Sequence, residues 1–380
     1  MADDAGMQQV VLFREVAAAN GRRIAFAQLN AEKSLNALSL DMIRLLDPQL
    51  RLWADDPTIA CVVLHGAGEK AFCAGGDVRS LRKAIVEYQG APPNPGALAF
   101  FGEEYRLDHR IHSYPKPVLV WGGGIVMGGG LGLLAGASHR VVTETSRIAM
   151  PEISIGLFPD VGGSWFLRRM PGAMGLFVAL TGVPLNAHDA LEAGLANHFL
   201  RAADRDALFE ELLAQDWQES SGGNRLLLSR LLSGYSGKAA GLLPESNLRK
   251  QAAAIESLCA GNSLAGVVQR IGAYAGEDAW IRRGAATLAA GSPTTMALVW
   301  ELRRRAATLS LAEVFRLELI VALQCCAHPD FAEGVRALLI DKDNKPQWQP
   351  ATLAQLTQER IDAHFTAPAW PLGAHPLADL

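Results

Sequence analysis

The stretch AFCAGGD at residues 71–77 ends an apolar run on two adjacent glycines, and GGGIVMGGGLG at 122–132 does so again about fifty residues later. Glycine lets the main chain come close to a ligand, so two such turns, each after an apolar strand, can present two backbone N–H groups to one atom. A carbonyl oxygen that becomes an oxyanion needs such donors, and losing one side-chain donor of this kind costs about 10²–10³ in rate. Either stretch alone serves tight helix-on-sheet packing equally well. A phosphate cradle fits poorly: GxGxxG does not match the spacing, GxxxxGK[ST] is absent, and no acidic residue ends a second strand at the expected distance.

Carboxylates supply the remaining chemistry. Glu104 in FGEEY stands on a helix expected over 97–113, on the face it shares with Phe100, Phe101, Leu107 and Ile111. A carboxylate in an apolar stripe is costly unless partnered, so it lies half-exposed at the stripe's edge or faces a ligand. Glu103, beside Arg106 and Arg110, reads as a solvated helix charge. Glu152 in MPEISIGL follows a strand and a proline suited to a first helical turn, where it would complement the helix dipole. Asp160 in LFPDVGGSW precedes another expected helix, where an N-cap is the ordinary role.

KSLNAL (33–38), AFCAGGD, GGGIVMGGGLGL (122–133) and MPEISIGLFPDVGGSWFLRRMPG (150–172) resemble, in order, the signatures of the crotonase (enoyl-CoA hydratase/isomerase) superfamily. DFAEGVRALLIDKDNKPQWQP, with FGEEY and GLFPDVGG, is similar to its 3-hydroxyisobutyryl-CoA hydrolase branch, which acts in valine breakdown. The resemblance spans nearly the whole chain. It implies an α/β, crotonase-like (ClpP/crotonase) spiral of repeated β-β-α units, with an oxyanion hole made by the N–H groups of Gly76 and Gly129. Ala74, Gly75, Asp77 and Gly128 become neighbours of the coenzyme A ester. Lys33 and Arg79 become phosphate contacts, unless they are merely solvated charges.

In this likeness Glu152 is the catalytic carboxylate, either activating water as general base or attacking the thioester carbon to form an anhydride. Asp160 holds the 3-hydroxyl group or assists the proton movement at the leaving thiolate, and Glu104 contacts substrate. Hydratases of the superfamily carry a second glutamate three residues after the oxyanion glycine, where this chain has Gly132. Thioester hydrolysis is therefore the expected reaction; the alternatives are an enoyl-CoA hydratase or isomerase, and a non-catalytic acyl-CoA-binding protein. The resemblance calls for no metal or redox cofactor, coenzyme A entering as part of the substrate. A trimer or hexamer is common in the superfamily, with a monomer or dimer left open here.

The elements that must position these residues alternate. RIAFAQL (23–29) reads as a half-buried strand, and a helix capped by Ser39 buries Met42, Leu46, Leu50 and Trp53. TIACVVLHG reads as a buried strand. PVLVW (117–121), a small-residue helix after GGG, a strand around Val141 and Val142, and RIAM (147–150) continue the α/β rhythm. GAPPNPG (90–96) is a loop by composition. Past about residue 205 helical periodicity takes over, and SLAEVFRLELIVALQCC opens on a capping box between Ser310 and Glu313. Two regions follow: a catalytic core at 1–205 and a mostly helical part at 206–380 covering the site.

Composition sets outer bounds. Nearly half of the 380 residues are hydrophobic, yet no run approaches the length of a membrane helix. With a net charge of −4 and no basic run, nucleic acid is not the expected partner. Cys61, Cys73, Cys259, Cys325 and Cys326 form no CxxC pair and read as reduced thiols, the last two as small core residues. His139 and His198 have no nucleophile partner and read as surface or core residues. The start MADDAGMQQVVLFREV is acidic and lacks the marks of a signal or transit peptide. A cytoplasmic location is the expectation.

Overall fold

The computed structural model describes residues 9–380. Its centre is a six-stranded sheet in the order β1 (Val11–Ala17), β2 (Arg23–Leu29), β3 (Ile59–Gly66), β5 (Val118–Gly122), β7 (His139–Val142), β9 (His198–Phe199). Only β1, at the edge, runs antiparallel to its neighbour. Parallel strands are covered on both faces, which requires near-continuous apolar runs. IACVVLHG in β3 meets this, with Ile59, Val62 and Leu64 in one core and Ala60, Cys61 and Val63 in the other. β2 differs from the half-buried strand expected for it. Ile24, Ala25, Phe26 and Ala27 are all buried, because β1 and β3 flank the strand and helices cover both its sides. The sequence shows an alternation of large and small residues there, not of apolar and polar.

A second, smaller sheet is parallel: β4 (Ala71–Cys73), β6 (Ile125–Met127), β8 (Arg147–Ala149). The chain spirals between the two sheets. β3 leads to β4 and then to α2 (Val78–Glu87) and α3 (Pro95–His112). β5 leads to β6 and α4 (Gly129–Gly136), and β7 leads to β8 and a single 3-10 turn at Glu152–Ser154. Each pass is a β-β-α unit. The carboxyl ends of β4, β6 and β8 therefore lie side by side, and the segments that follow them are Gly75–Gly76, Gly128–Gly129 and Glu152.

Local chemistry explains the boundaries. The helix Leu40–Asp55, α1, starts where Ser39 accepts the Met42 N–H at 3.2 Å. Asn94 caps α3 and Pro95 occupies its first turn, so the last residues of GAPPNPG already belong to the helix start. Among the described residues no strand follows Phe199.

The helical remainder does not build a core of its own. Helices Arg205–Leu213 and Ser221–Ala239 cover one face of the large sheet through Leu208, Leu212, Leu228 and Leu232. The helix Leu311–Ala327, opened by the Ser310/Glu313 capping box, packs on α3. There the rings of Phe100, Phe101, Tyr105 and Phe315 follow one another at centroid spacings of 5.4, 5.7 and 5.8 Å. Such pairs contribute about 0.5–1.5 kcal/mol each beyond area burial.

Candidate active site

Leu38 N–H donates to Gly75 O and Asp77 N–H donates to Leu38 O. In a parallel bridge of this kind the residue between, Gly76, turns its own N–H to the opposite side. Gly129 opens α4, and the first N–H groups of a helix have no partner within it. Gly128 precedes it at φ +46°, a conformation that glycine adopts without penalty. A Cβ at Gly129 would stand 3.5 Å from Gly76 N and would run into Glu104 Oε1. The two glycines are thus neighbours, with one carboxylate oxygen of α3 against them.

Glu152 and Asp160 complete the wall. Glu152 Oε1 lies 3.1 Å from where a Gly128 Cβ would be. Both carboxylates are 4% exposed. Ala74, Gly75, Gly76, Glu104, Gly128, Gly129, Glu152 and Asp160 all line one cavity of about 250 Å³. Its remaining wall is apolar, and Leu338 and Leu339 of the π-helical turn Arg336–Ile340 close one side of it. The Pro151–Glu152 segment forms only a short 3-10 turn, so Glu152 has no long helix dipole to complement.

Charge in this wall is unbalanced, since no cation is paired with these acids among the described residues. Burial raises the Glu104 carboxyl well above its ordinary range, and Asp160 and Glu152 push it further. Burial likewise raises Glu152 well above that range, with Asp160 adding to it. Asp160 is pushed up to about 7 by burial, against the Tyr105 hydroxyl, which donates to its Oδ2 at 2.6 Å and favours the ionised form. Glu104 Oε1 and Glu152 Oε2 have no hydrogen-bond partner. Like charges this close cannot all ionise together, so the arrangement favours sharing protons among these carboxyls, the setting for acid and base chemistry in one wall.

Other residues singled out by sequence lie elsewhere. Asp77 does not line the cavity; it caps α2 by accepting the Ser80 N–H at 3.2 Å and hydroxyl at 2.6 Å. Lys33 and Arg79 are exposed and outside the lining. Asp160 is not an N-cap, because Gly162 occupies that place before the short helix Gly163–Phe166. The Gly162 and Ser164 N–H groups instead donate to Glu318 at 2.8 Å each. Glu103 pairs with Arg44 at 2.8 Å on the outer side of α3. His139 and His198 stack at 5.8 Å, each lowered to about 4 by burial. All five cysteines are free and buried.

Sequence reading missed Tyr105, Asp108 and Glu318. Asp108 is wholly buried with neither oxygen partnered, and burial followed by Glu104 raises its carboxyl well above the usual range. A Cβ at Gly132 would lie 2.9 Å from Asp108 Oδ2, so the bare position on α4 is filled from α3. Asp108 stands four residues after Glu104, and that helical spacing was the available signal. Glu318 carries the signal that marked Glu104, a carboxylate within an apolar stripe, here with Val314, Phe315, Val321 and Cys325. Burial pushes it up to about 8.

The chain is similar to known proteins over most of its length. The family model described as enoyl-CoA hydratase/isomerase matches residues 24–365. A Danio rerio protein named 3-hydroxyisobutyryl-CoA hydrolase, mitochondrial, is 40% identical over 97% of this chain and 91% of its own length. A solved enoyl-CoA hydratase from Rhodobacter sphaeroides 2.4.1 is 32% identical with a TM-score of 0.80, covering 94% of this chain and 98% of its own. A solved carnitinyl-CoA dehydratase from Mycobacterium thermoresistibile is 32% identical with a TM-score of 0.83, covering 96% and 98%.

The mitochondrial name of the relative corrects the cytoplasmic location expected from MADDAGMQQVVLFREV, a stretch of which residues 1–8 lie outside the described residues. Targeting segments are separable from the fold, so the folded residues do not themselves carry a compartment. The spiral of paired sheets, the cavity at the ends of β4, β6 and β8, and the match over residues 24–365 lead to one conclusion: this chain belongs to the enoyl-CoA hydratase/isomerase family.

Proposed function

We propose that this protein hydrolyses a short branched 3-hydroxyacyl-CoA thioester, 3-hydroxyisobutyryl-CoA, to 3-hydroxyisobutyrate and coenzyme A, a step of valine breakdown. The observation that carries the reading is the pair of glycines, Gly76 and Gly129, set against buried carboxylates in one small cavity. The Danio rerio relative, whose name is that of a hydrolase, supports the same chemistry. At about 250 Å³ the cavity is smaller than drug-sized pockets, which suits a short acyl group with the coenzyme A arm running outward.

In this reading the thioester oxygen lies between the Gly76 and Gly129 N–H groups. Glu152 takes a proton from water as the water oxygen adds to the carbonyl carbon, or adds to that carbon itself and leaves water to open the anhydride. Both routes pass through an oxyanion that the two N–H groups hold. Collapse breaks the C–S bond, and the thiolate takes a proton from the carboxyl cluster. Asp160 and Glu104 hold the 3-hydroxyl end. Water and thioester alone balance the reaction.

Release of free thiol from (S)-3-hydroxyisobutyryl-CoA, with crotonyl-CoA hydration run beside it, tests the reading. Thiol release abolished by Glu152→Gln and Asp160→Asn is the expected result. Loss of the crotonyl absorbance without thiol release would make the protein a hydratase.

A further inference from the structure

Tyr105 is 0% exposed, and its hydroxyl reaches Asp160 Oδ2 at 2.6 Å. The carboxylate it meets is held in place from a second side. Val161, the next residue, is buried at φ +52°, a conformation rare for a β-branched residue and kept only where surroundings impose it. The surroundings here are the Glu318 carboxylate, which accepts the Gly162 and Ser164 N–H groups from the helix Leu311–Ala327, and Asp160 O, which accepts the Gly163 N–H at 2.7 Å. With the backbone fixed in this way, the Tyr105 hydroxyl is the side-chain donor that orients the Asp160 carboxylate, and with Asp160's own backbone it favours the ionised form against burial.

We propose that Tyr105 is a positioning residue for Asp160: it orients the carboxylate toward the cavity and stabilises its ionised form through the buried hydrogen bond. The inference rests on the thioesterase reading for its kinetic consequence only. An O–H donated to a carboxylate favours the charged state, and burial works against that state. The Asp160 charge in turn raises the groups that face it: Glu104 and Asp108 on α3, Glu152 in the turn after β8, and Glu318, Cys325 and Cys326 on the helix Leu311–Ala327. His112 on α3 reaches the same turn, its Nε2 3.9 Å from a Gly162 Cβ position, and burial lowers it to about 4, so it brings no charge near neutral pH. Among these neighbours Tyr105 alone donates a hydrogen bond to the carboxylate.

The test uses the full chain labelled with ¹³C at aspartate carboxyls, its Asp160 resonance identified by its loss in Asp160→Asn. In Tyr105→Phe the Asp160 titration midpoint should rise by about one pH unit or more, the size of a hydrogen bond to a charged group. Thiol release should then suffer a larger deficit at pH 6 than at pH 9, a split that mere loss of packing would not give. An unchanged midpoint would overturn the proposal and leave Tyr105 a core residue. Absence of thiol release by the unsubstituted protein would overturn the thioesterase reading instead, while the midpoint still decides the role of Tyr105.

Discussion

The two faces of α3 carry the same kinds of residue and treat them in opposite ways. On the outer face Glu103 pairs with Arg44, Arg106 with Asp379 and Arg110 with Asp47, at 2.8, 2.7 and 2.6 Å. On the inner face Glu104 and Asp108 are buried, without a cation and with unpartnered oxygens. Where water is present an ion pair holds both charges at little gain or cost. Where it is absent an isolated carboxylate is so costly that it takes up a proton. One helix thus separates inert surface charge from a store of protons against the cavity, and the difference comes from what packs on each face.

The comparison breaks most sharply if the inner acids prove idle. Glu152→Gln is expected to lower thiol release by about 10²–10⁴, the usual range for a general acid or base. Activity near the unsubstituted level would make the buried acids structural. The next effect is in pH. Asp160, pushed up to about 7, is protonated below that value. kcat/KM should therefore rise through about pH 7 and fall roughly tenfold for each pH unit below it; a profile flat from pH 5 to 8 would contradict the assignment. The macroscopic midpoint belongs to the cluster and not to one residue.

A smaller effect concerns stability. Asp108 ionises in the ordinary carboxylate range when unfolded and the fold raises it well above that range, so its contribution is complete below that range and is lost as pH rises toward its raised folded value. Asp108→Asn, which cannot ionise, should melt at a higher temperature than the unsubstituted protein, by a margin that grows from pH 4 to pH 8. A margin independent of pH would mean that Asp108 is already ionised in the fold. Smallest of all, Arg106→Ala on the outer face should cost about 1 kcal/mol or less in urea unfolding, as exposed pairs do, with thiol release unchanged. A larger loss would show that the contact with Asp379 near the end of the chain carries more of the fold than its exposure suggests.

Much of the site was legible because its signals are local. AFCAGGD and GGGIVMGGGLG mark main-chain turns whose glycines are dictated by sterics within a few residues, and both turns line the cavity. The stripe around Glu104 follows from helical spacing, although Asp108, one turn on at the same spacing, was passed over. β6 was hidden between the two GGG groups, since IVM is too short a run to declare a strand. β2 was misjudged as half-buried because an alternation of large and small apolar residues resembles one of apolar and polar. Asp160 was weighed as an N-cap because the true acceptor for that turn, Glu318, is 158 residues away in sequence from it and belongs to another helix.

By itself, then, the sequence determined the longer elements, the bare turns and that Glu104 stands in apolar company, since periodicity and steric demand act over a few residues. Only the tertiary structure decided that three strand ends meet, that Tyr105 answers Asp160, that Glu318 holds its turn, and that Asp108 fills the space left by Gly132. These depend on contacts between residues far apart in the chain, and burial there sets the protonation of groups whose identity alone fixes only an ordinary pKa.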